Sequence, residues 1–382
     1  MEGAVEYLLA LWRFFAWANR ARHSGPHAES WVKYLSDKAG SDPSTLVLAH
    51  WLTHIFDYQM RAEVVWGETY PKVCEAASLF LEERSAERAM AWLSRQKLRH
   101  RFLKRHRLLE KVRRTLTVLE RLETDLIGLM ARLAEGGEWV RRVAVGLYAL
   151  TYDDPLGTEG ALRVLGDESA FEEYYLRFYG RRDYHRHGRG GIWHKRLWSA
   201  LNSYVGGALR ELVLGEMRRR GLPSEKVGLW ERPEPYLHQL ELPGDRWNAA
   251  FWEMLRPALE ELCGERLPRG ASKALRELYS RVEEVRREGL YPEQFDVTFD
   301  FVPRMCSRRE LRAYICERAC PLGPSGAAEL CAEAPGRFCP ILALSFGYLY
   351  PCEPSGCPVR EGRLAGLCPS LASRPSRASR AS

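Results

Sequence analysis

Apolar residues recur along most of this chain at the spacing of an α-helix. The i, i+3, i+4 pattern predicts helices over residues 2–22, 42–66, 70–92, 98–133, 138–152, 159–165, 169–178, 192–220, 246–263 and 271–288. Residues 295–301 instead alternate apolar and polar side chains, which is the period of a β-strand. The pattern therefore predicts a mainly α protein, with a multi-helix, bundle-like body and at most a minor β element.

Breaks in this pattern predict five segments. We expect a helical body over 1–222, a Pro-rich connection over 223–245, helices and a short strand over 246–303, a Cys-rich module over 304–369 and a tail over 370–382. The tail is basic and of low complexity, a composition that favours disorder. The helical body and the Cys-rich module are thus the two candidate functional regions.

The Cys-rich module holds eight of the ten cysteines of the chain. They are Cys306, Cys316, Cys320, Cys331, Cys339, Cys352, Cys357 and Cys368. Closely spaced thiolates are typical ligands of zinc and of iron–sulfur clusters. Four of these cysteines are followed directly by proline, a step that also occurs at iron–sulfur ligands. We therefore predict a metal-binding C-terminal module that holds an Fe–S cluster, with Zn²⁺ as the alternative metal.

Disulfide bonds are a second interpretation of the same cysteines, because eight thiols pair evenly. Disulfides inside cells are largely confined to hyperthermophiles. The chain has only three Asn and far more Arg than Lys, a composition typical of thermophile proteins. The disulfide alternative consequently stays open. Cys74, which lies in the helical body, is predicted to be a core thiol.

Two stretches of the helical body are strongly basic. Residues 95–114 contain ten Lys or Arg and a single acidic residue, and residues 178–198 contain six and one. The second stretch also interleaves aromatic residues and has a glycine-rich centre at 188–191. Cations bind phosphates, glycine amides approach a backbone closely, and aromatic rings stack on bases. The predicted nucleic-acid contacts are Arg99, Arg101, Lys104, Arg105, Arg181, Arg182, Arg186, Arg189, Trp193, Lys195 and Arg196.

A polar stripe crosses the otherwise apolar helix predicted over 42–66. His50, His54, Asp57 and Arg61 follow one another at steps of four, three and four, which puts them on one helix face. Two histidines and a carboxylate are the ligands of a facial metal triad. A buried polar network, in which Asp57 pairs with Arg61 and orients His54, is the other interpretation.

Lys195 is a further catalytic candidate because it follows the Gly190-Gly191 turn. Its spacing from that turn does not match the hairpin of the helix-hairpin-helix DNA glycosylases, and no aspartate lies between Lys195 and Asp245. The chain also lacks a phosphate-binding P-loop and a dinucleotide-binding glycine fingerprint. These absences argue against nucleotide hydrolysis and nicotinamide chemistry.

Composition places the chain among soluble globular proteins. It is 46% hydrophobic and 28% charged, with a formal net charge of +7. Glu2 and Glu6 precede the first apolar run and Arg13 interrupts it, so that we expect no signal peptide. The longest late apolar run, residues 341–350, is too short to span a bilayer, and we therefore expect a cytoplasmic protein.

These patterns lead to one hypothesis and two rivals. The first is a nucleic-acid-binding protein of DNA or RNA processing or repair that carries a Cys-ligated metal module. A metal-dependent helical enzyme using His50, His54 and Asp57 is the second. The third is a non-catalytic subunit whose basic helix docks an acidic protein partner within a larger assembly.

The metal prediction is tested by purifying the protein without oxygen and quantifying iron, zinc and sulfide. We expect a coloured protein with iron and sulfide in equal amounts, or a colourless one with zinc. Replacing Cys316 and Cys320 with serine should lower the metal content, whereas Cys74→Ala should leave it unchanged. A metal-free wild-type protein would refute the prediction and favour disulfides.

Overall fold

Helices make up most of the structure. It is a computed structural model that describes residues 26–40, 42–57, 63–98, 103, 106–180, 191–242 and 264–295, together with Leu9, Trp12, Ala16, Trp252, Arg256 and Glu260. The chain divides into two units, one of residues 23–243 and one that combines Met1–Arg22 with Gly244–Ser382. The division thus groups the first 22 residues with the C-terminal part of the chain, whereas the sequence prediction joined them to the helical body.

The first unit is a bundle of α-helices. Its helices are α1 (Pro26–Ala39), α2 (Pro43–Phe56), α3 (Tyr70–Glu83), α4 (Ala86–Arg95), α5 (Leu108–Arg121), α6 (Leu126–Leu133), α7 (Trp139–Thr151), α8 (Gly157–Gly166), α9 (Glu168–Gly180), α10 (Gly191–Val205), α11 (Arg210–Arg219) and α12 (Ser224–Glu231). A π-helix, Glu63–Thr69, precedes α3, and short 3₁₀ turns occupy Gly136–Glu138, Asp154–Leu156 and Glu234–Gln239. No strand occurs among the residues that the structure describes. The prediction of a mainly α protein is therefore confirmed.

Helix α2 is the centre of the bundle. Every residue from Ser44 to Phe56 is buried, as expected for a helix that is apolar nearly all round. Its start is fixed by Asp42, whose carboxylate accepts a hydrogen bond of 2.8 Å from the Thr45 amide, and by Pro43 in the first turn. Helices α1, α3, α5, α6, α10 and α11 all pack against it.

Several predicted helices are shorter than their apolar pattern. The helix predicted over 98–133 is wrong as a single element, because α5 begins at Leu108 and the chain turns after Arg121. Glu123 adopts a positive φ of 50° there, and the Asp125 carboxylate caps α6 by accepting from Gly128 N–H at 2.8 Å. Leucines of the 98–133 segment form a stripe that continues in helical spacing through this turn, because both α5 and α6 pack against α2.

Two further predicted helices are interrupted in the same way. The one predicted over 42–66 ends at Phe56, and that over 70–92 is broken at Arg84, which has a positive φ of 51°. Ser85 then starts α4, accepting a hydrogen bond from the Arg88 amide at 3.3 Å.

The Pro-rich segment is part of the bundle rather than a plain connection. Pro223 and Pro233 directly precede the helical stretches Ser224–Glu231 and Glu234–Gln239, where proline starts a turn instead of breaking one. Trp230 is fully buried and packs on Trp139, with ring centroids 4.8 Å apart. The prediction of a loop over this segment was wrong for these residues.

The second unit is described mainly by α13 (Ala271–Arg281), α14 (Glu283–Arg287) and a 3₁₀ turn, Pro292–Phe295. Trp12 is fully buried in it, donating a hydrogen bond of 3.1 Å from Nε1 to the Tyr291 carbonyl and packing edge-on against Phe295 at 4.9 Å. These contacts explain why the first residues of the chain belong to this unit.

Residues 296–382 lie outside the described part of the chain. The Cys-rich module, the tail and most of the predicted strand consequently remain predictions. Phe295, the first residue of that strand prediction, ends the 3₁₀ turn.

Within the described residues, no helix combines the length and the apolar character that crossing a bilayer requires.

A cluster of charged side chains ties α2, α6 and α11 together. Arg220 donates from Nη1 to Asp125 Oδ1 at 2.7 Å, from Nη2 to Ser44 Oγ at 2.7 Å and from Nε to Glu216 Oε1 at 2.6 Å. Asp125 and Glu216 are both buried. Burial disfavours the charged carboxylate of Asp125, but hydrogen bonds from Arg220 and Gly128 outweigh it and hold its pKa below the usual range.

Replacing Asp125 with alanine should lower the free energy of unfolding by about 3 kcal/mol, because it leaves the Arg220 guanidinium half-buried without its main partner. Asp167→Ala is the matched control, since Asp167 caps α9 by accepting from Ala170 N–H at 2.7 Å in an exposed position. The control should lose only about 1 kcal/mol. Urea denaturation followed by circular dichroism measures both, and equal losses would contradict the role of the Arg220 pair.

Candidate nucleic-acid interface

A buried arginine joins the start of α10 to the end of α2. Arg196 has no exposed surface. Its Nη1 donates to the Ile55 carbonyl at 2.5 Å, and its Nε donates to the Asp57 carbonyl at 2.9 Å. The last carbonyls of a helix have no partner within the helix, and a cation is favourable there. The buried Arg196 side chain therefore caps the C-terminus of α2.

A second pair of buried cations joins the start of α5 to the end of α7. Lys111 forms an ion pair with Asp154, although Lys111 itself is only 3% exposed. Arg114 donates from Nη1 to the Asp153 carbonyl at 2.6 Å, and the Tyr174 hydroxyl donates to the Asp153 carboxylate at 2.6 Å. The end of α7 is thus held by α5 and α9 together.

These two arrangements lie at one end of the bundle. The Thr151 hydroxyl accepts from Trp51 Nε1 at 3.1 Å and contacts the Thr115 hydroxyl at 2.9 Å, which brings α2, α5 and α7 together just inside that end. Burial lowers the pKa of Lys111; Asp154 offsets this effect, and the nearby positive charges of Arg114 and Arg196 lower the pKa further. We call the end where Asp57, Lys111, Asp154 and Arg196 lie the basic end.

Both basic stretches join the bundle at this end. The carbonyl of Lys97, just before the first stretch leaves the described chain, accepts from Lys72 Nζ in the first turn of α3 at 2.7 Å. The chain is described again through the start of α5, which carries Lys111. At the second stretch, Phe178 packs on Tyr148 at 5.1 Å, and the chain is described again from α10.

The predicted nucleic-acid contacts fall into three groups. Those outside the described residues are Arg99, Arg101, Lys104, Arg105, Arg181, Arg182, Arg186 and Arg189. Trp193 and Lys195 belong to the first turns of α10, and nothing is described of their side chains. Arg196 is corrected: its guanidinium is fully buried against α2, so that it is not exposed to a phosphate.

The sequence carries a signal for the burial of Arg196. Arg196, Ala200 and Tyr204 follow one another at steps of four, and all three are buried. An arginine on the apolar face of a helix is better interpreted as an internal donor than as a surface cation.

The two histidines of the polar stripe are buried among aromatic rings. Their ring centroids are 4.6 Å apart, and Trp66 of the π-helix packs against His50 at 5.4 Å and against His54 at 5.3 Å. Asp57 is the residue that ends α2, and Arg61 lies outside the described residues. The described part of the chain contains no cluster of three or more side chains able to hold a metal ion. The histidines thus form a buried network with aromatic partners, and their predicted pairing through Asp57 and Arg61 stays a prediction.

His50 is held by a tyrosine from a distant part of the chain. Its Nδ1 lies 2.9 Å from the Tyr204 hydroxyl, which itself donates to the Val47 carbonyl at 3.2 Å. Both bonds form together when His50 Nδ1–H donates to the Tyr204 oxygen. Burial, followed by the proximity of His54, lowers the pKa of His50 well below its usual value, so that the ring is neutral at neutral pH.

The thiol of Cys74 is buried in α3 next to Tyr70. Burial raises its pKa to about 12, against the smaller opposing effect of the hydrogen bond with Tyr70. A protonated buried thiol is unreactive, in agreement with the prediction of a core cysteine. All eight cysteines of the predicted metal module lie outside the described residues.

No family model matches this chain, and comparisons with curated proteins and with solved structures find no significant similarity.

The buried histidine predicts a stability that falls with acidity. In the unfolded chain His50 takes up a proton near its usual pKa of about 6.5, whereas the folded ring does so only at lower pH. The free energy of unfolding should accordingly decrease below about pH 6.5, by up to about 1.4 kcal/mol per pH unit from this residue. His50→Gln should flatten that slope.

Tyr204→Phe is the matched control, because it removes the hydrogen bond but keeps the titrating ring. Urea denaturation at a series of pH values should show the slope retained in Tyr204→Phe. An unchanged slope in His50→Gln would rule out His50 as its source.

Proposed function

We propose that this chain is a nucleic-acid-binding protein, acting in DNA or RNA processing or repair, whose basic end holds the phosphate backbone. The cysteine module would carry an Fe–S cluster, or zinc, beside this binding function. The single observation that supports the proposal is that the described residues flanking both basic stretches meet at one end of the bundle. Two separate runs of cations anchored to one end supply a continuous field for a polyanion.

Burial separates the cations that serve the fold from those left for a partner. Of the ten cations in residues 95–114, Lys111 and Arg114 are buried and bound to Asp154 and to the Asp153 carbonyl. Arg107 lies 3.4 Å from Glu110. The carboxylates of Asp154, Asp153 and Glu110 thus already have partners within the protein, which are Lys111, the Tyr174 hydroxyl and Arg107 respectively. Most of the remaining cations of both stretches have no acidic neighbour in sequence, which favours an external anion.

The start of α10 adds a second feature suited to phosphate. This helix begins at Gly191, directly after Gly188 and Gly190 in the sequence. The amides of a helix N-terminus point outward, and its dipole favours negative charge. Glycines allow a phosphate to approach the backbone because they carry no side chain.

Neither rival hypothesis gains a supporting observation. The enzyme hypothesis needs a third ligand beside His50 and His54, and the described residues supply no group of three ligands. A subunit that docks an acidic protein would use the same cations as a nucleic acid, so the two are separated by experiment.

The test is charge reversal at the second basic stretch. Arg181, Arg182 and Arg189 are replaced together by glutamate, and Arg196 is left intact because it is buried. We expect at least about a tenfold loss of affinity for a labelled oligonucleotide, and a salt dependence whose slope falls by about 2, since each lost phosphate contact removes about 0.7 to 0.9. Fluorescence anisotropy at several salt concentrations measures both quantities.

The matched control reverses three exposed arginines elsewhere on the bundle, Arg88, Arg163 and Arg232. It changes the net charge equally but should change affinity and slope far less. Equal effects of the two variants would show that affinity depends on net charge and not on a site at the second basic stretch. Absence of oligonucleotide binding by the wild type, with an acidic protein recovered from nuclease-treated lysate, would replace the proposal with the subunit hypothesis.

A further inference from the structure

Three aromatic side chains form a half-exposed cluster beside the basic end. Trp31 and Tyr34 lie one turn apart on α1, with ring centroids 5.7 Å apart and ring planes within 15° of parallel. Trp66 of the π-helix meets Trp31 at 5.1 Å and 78°. All three residues are half-buried, and the Tyr34 ring also stacks on Tyr70, with ring centroids 6.5 Å apart. We call these three residues the aromatic platform.

Two hydrogen bonds fix the aromatic platform to the rest of the bundle. The Tyr34 hydroxyl donates to the Trp66 carbonyl at 2.7 Å, and the Tyr70 hydroxyl donates to the Leu35 carbonyl at 3.1 Å, so that α1 is fixed to the π-helix and to α3. The inner side of Trp66 packs on the buried rings of His50 and His54. A π-helix is rare and frequently marks a functional site.

The platform lies between the points where the two basic stretches join the bundle. On one side, Trp66 contacts His54 at 5.3 Å, and His54 is one turn before Asp57, whose carbonyl binds Arg196 at the start of α10. On the other side, Trp66 contacts Tyr70 at 5.7 Å in the turn of α3 that carries Lys72, which binds the Lys97 carbonyl.

We propose that Trp31, backed by Tyr34 and Trp66, stacks on an unpaired base of a nucleic acid held at the basic end. This inference rests on the proposed function and adds that the preferred ligand is single-stranded. Unpaired bases expose a face of suitable area, and aromatic rings next to cations are the usual elements of a single-strand site. Bases within a duplex are stacked on one another, so that the platform gains nothing from them.

The experiment compares a labelled oligothymidylate with an abasic strand of the same length, and repeats the comparison with oligouridylate. Both members of each pair have the same phosphates and differ only in the bases. The full-length protein is titrated by fluorescence anisotropy at one salt concentration. The quantity of interest is the ratio of the two affinities, which partial unfolding of a variant leaves unchanged.

Trp31→Leu removes the π-face while keeping an apolar side chain. We expect it to lower the affinity for the base-bearing strand about fivefold or more and to leave that for the abasic strand unchanged. Trp31→Phe should recover most of the loss. Tyr236→Leu is the matched control, since Tyr236 is also half-exposed and packs on Trp139 at the start of α7, away from the basic end.

The outcomes separate the platform from the proposed function. Equal losses on the two strands in Trp31→Leu, or no loss on either, would overturn the platform while leaving phosphate binding intact. A wild type that binds duplex more tightly than either single strand would also overturn it. A wild type that binds none of these nucleic acids would refute the proposed function itself.

Discussion

The carbonyl groups at the end of α2 impose the central constraint on the first unit. The helix is buried along its whole length, so these groups cannot all turn to water. Arg196 meets the need because a guanidinium offers several N–H donors in one plane and can bind the Ile55 and Asp57 carbonyls together. A lysine at this position would be a poor substitute, since its single ammonium group lacks that planar fork. The position of α10 against α2 follows directly from this geometry.

That constraint also determines which cations are left to meet a ligand. Arg196, Lys111 and Arg114 stand among the most basic segments of the sequence, yet each is buried and bonded within the protein. A cation whose donors are bound to carbonyls or carboxylates adds to the local potential but does not contact a phosphate directly. The composition of the two stretches therefore overstates the number of cations that can contact a phosphate.

The sequence predicted the helices well and their ends less well. The existence of α2, α5, α7 and α10 follows from apolar periodicity, but the break near Asp125 does not, because the leucine stripe stays in phase across it. The segment around Pro223 and Pro233 was predicted to be a connection because proline is common in loops. Proline also occurs at the start of helices, and both prolines directly precede helical stretches here. Of the predicted polar stripe, His50 and His54 lie close together on α2, with ring centroids 4.6 Å apart, whereas Asp57 follows the end of the helix and Arg61 lies outside the described residues. Tyr204, the partner of His50, lies 154 residues away in sequence, and only tertiary packing brings the two together.

The aromatic platform and the buried Arg196 both pack against the last turns of α2. Trp66 lies in the π-helix, and its carbonyl accepts a hydrogen bond from the Tyr34 hydroxyl, which ties α1 to this element. Behind it, the His50 and His54 rings fill the space between Trp66 and α2. Burial lowers the pKa of His50, so that this ring places no charge in the core at neutral pH. The last turn of α2 thus supports Trp66 on one side and accepts Arg196 on the other. In the proposed binding mode, this turn therefore lies between the aromatic platform and the start of α10 and fixes their separation.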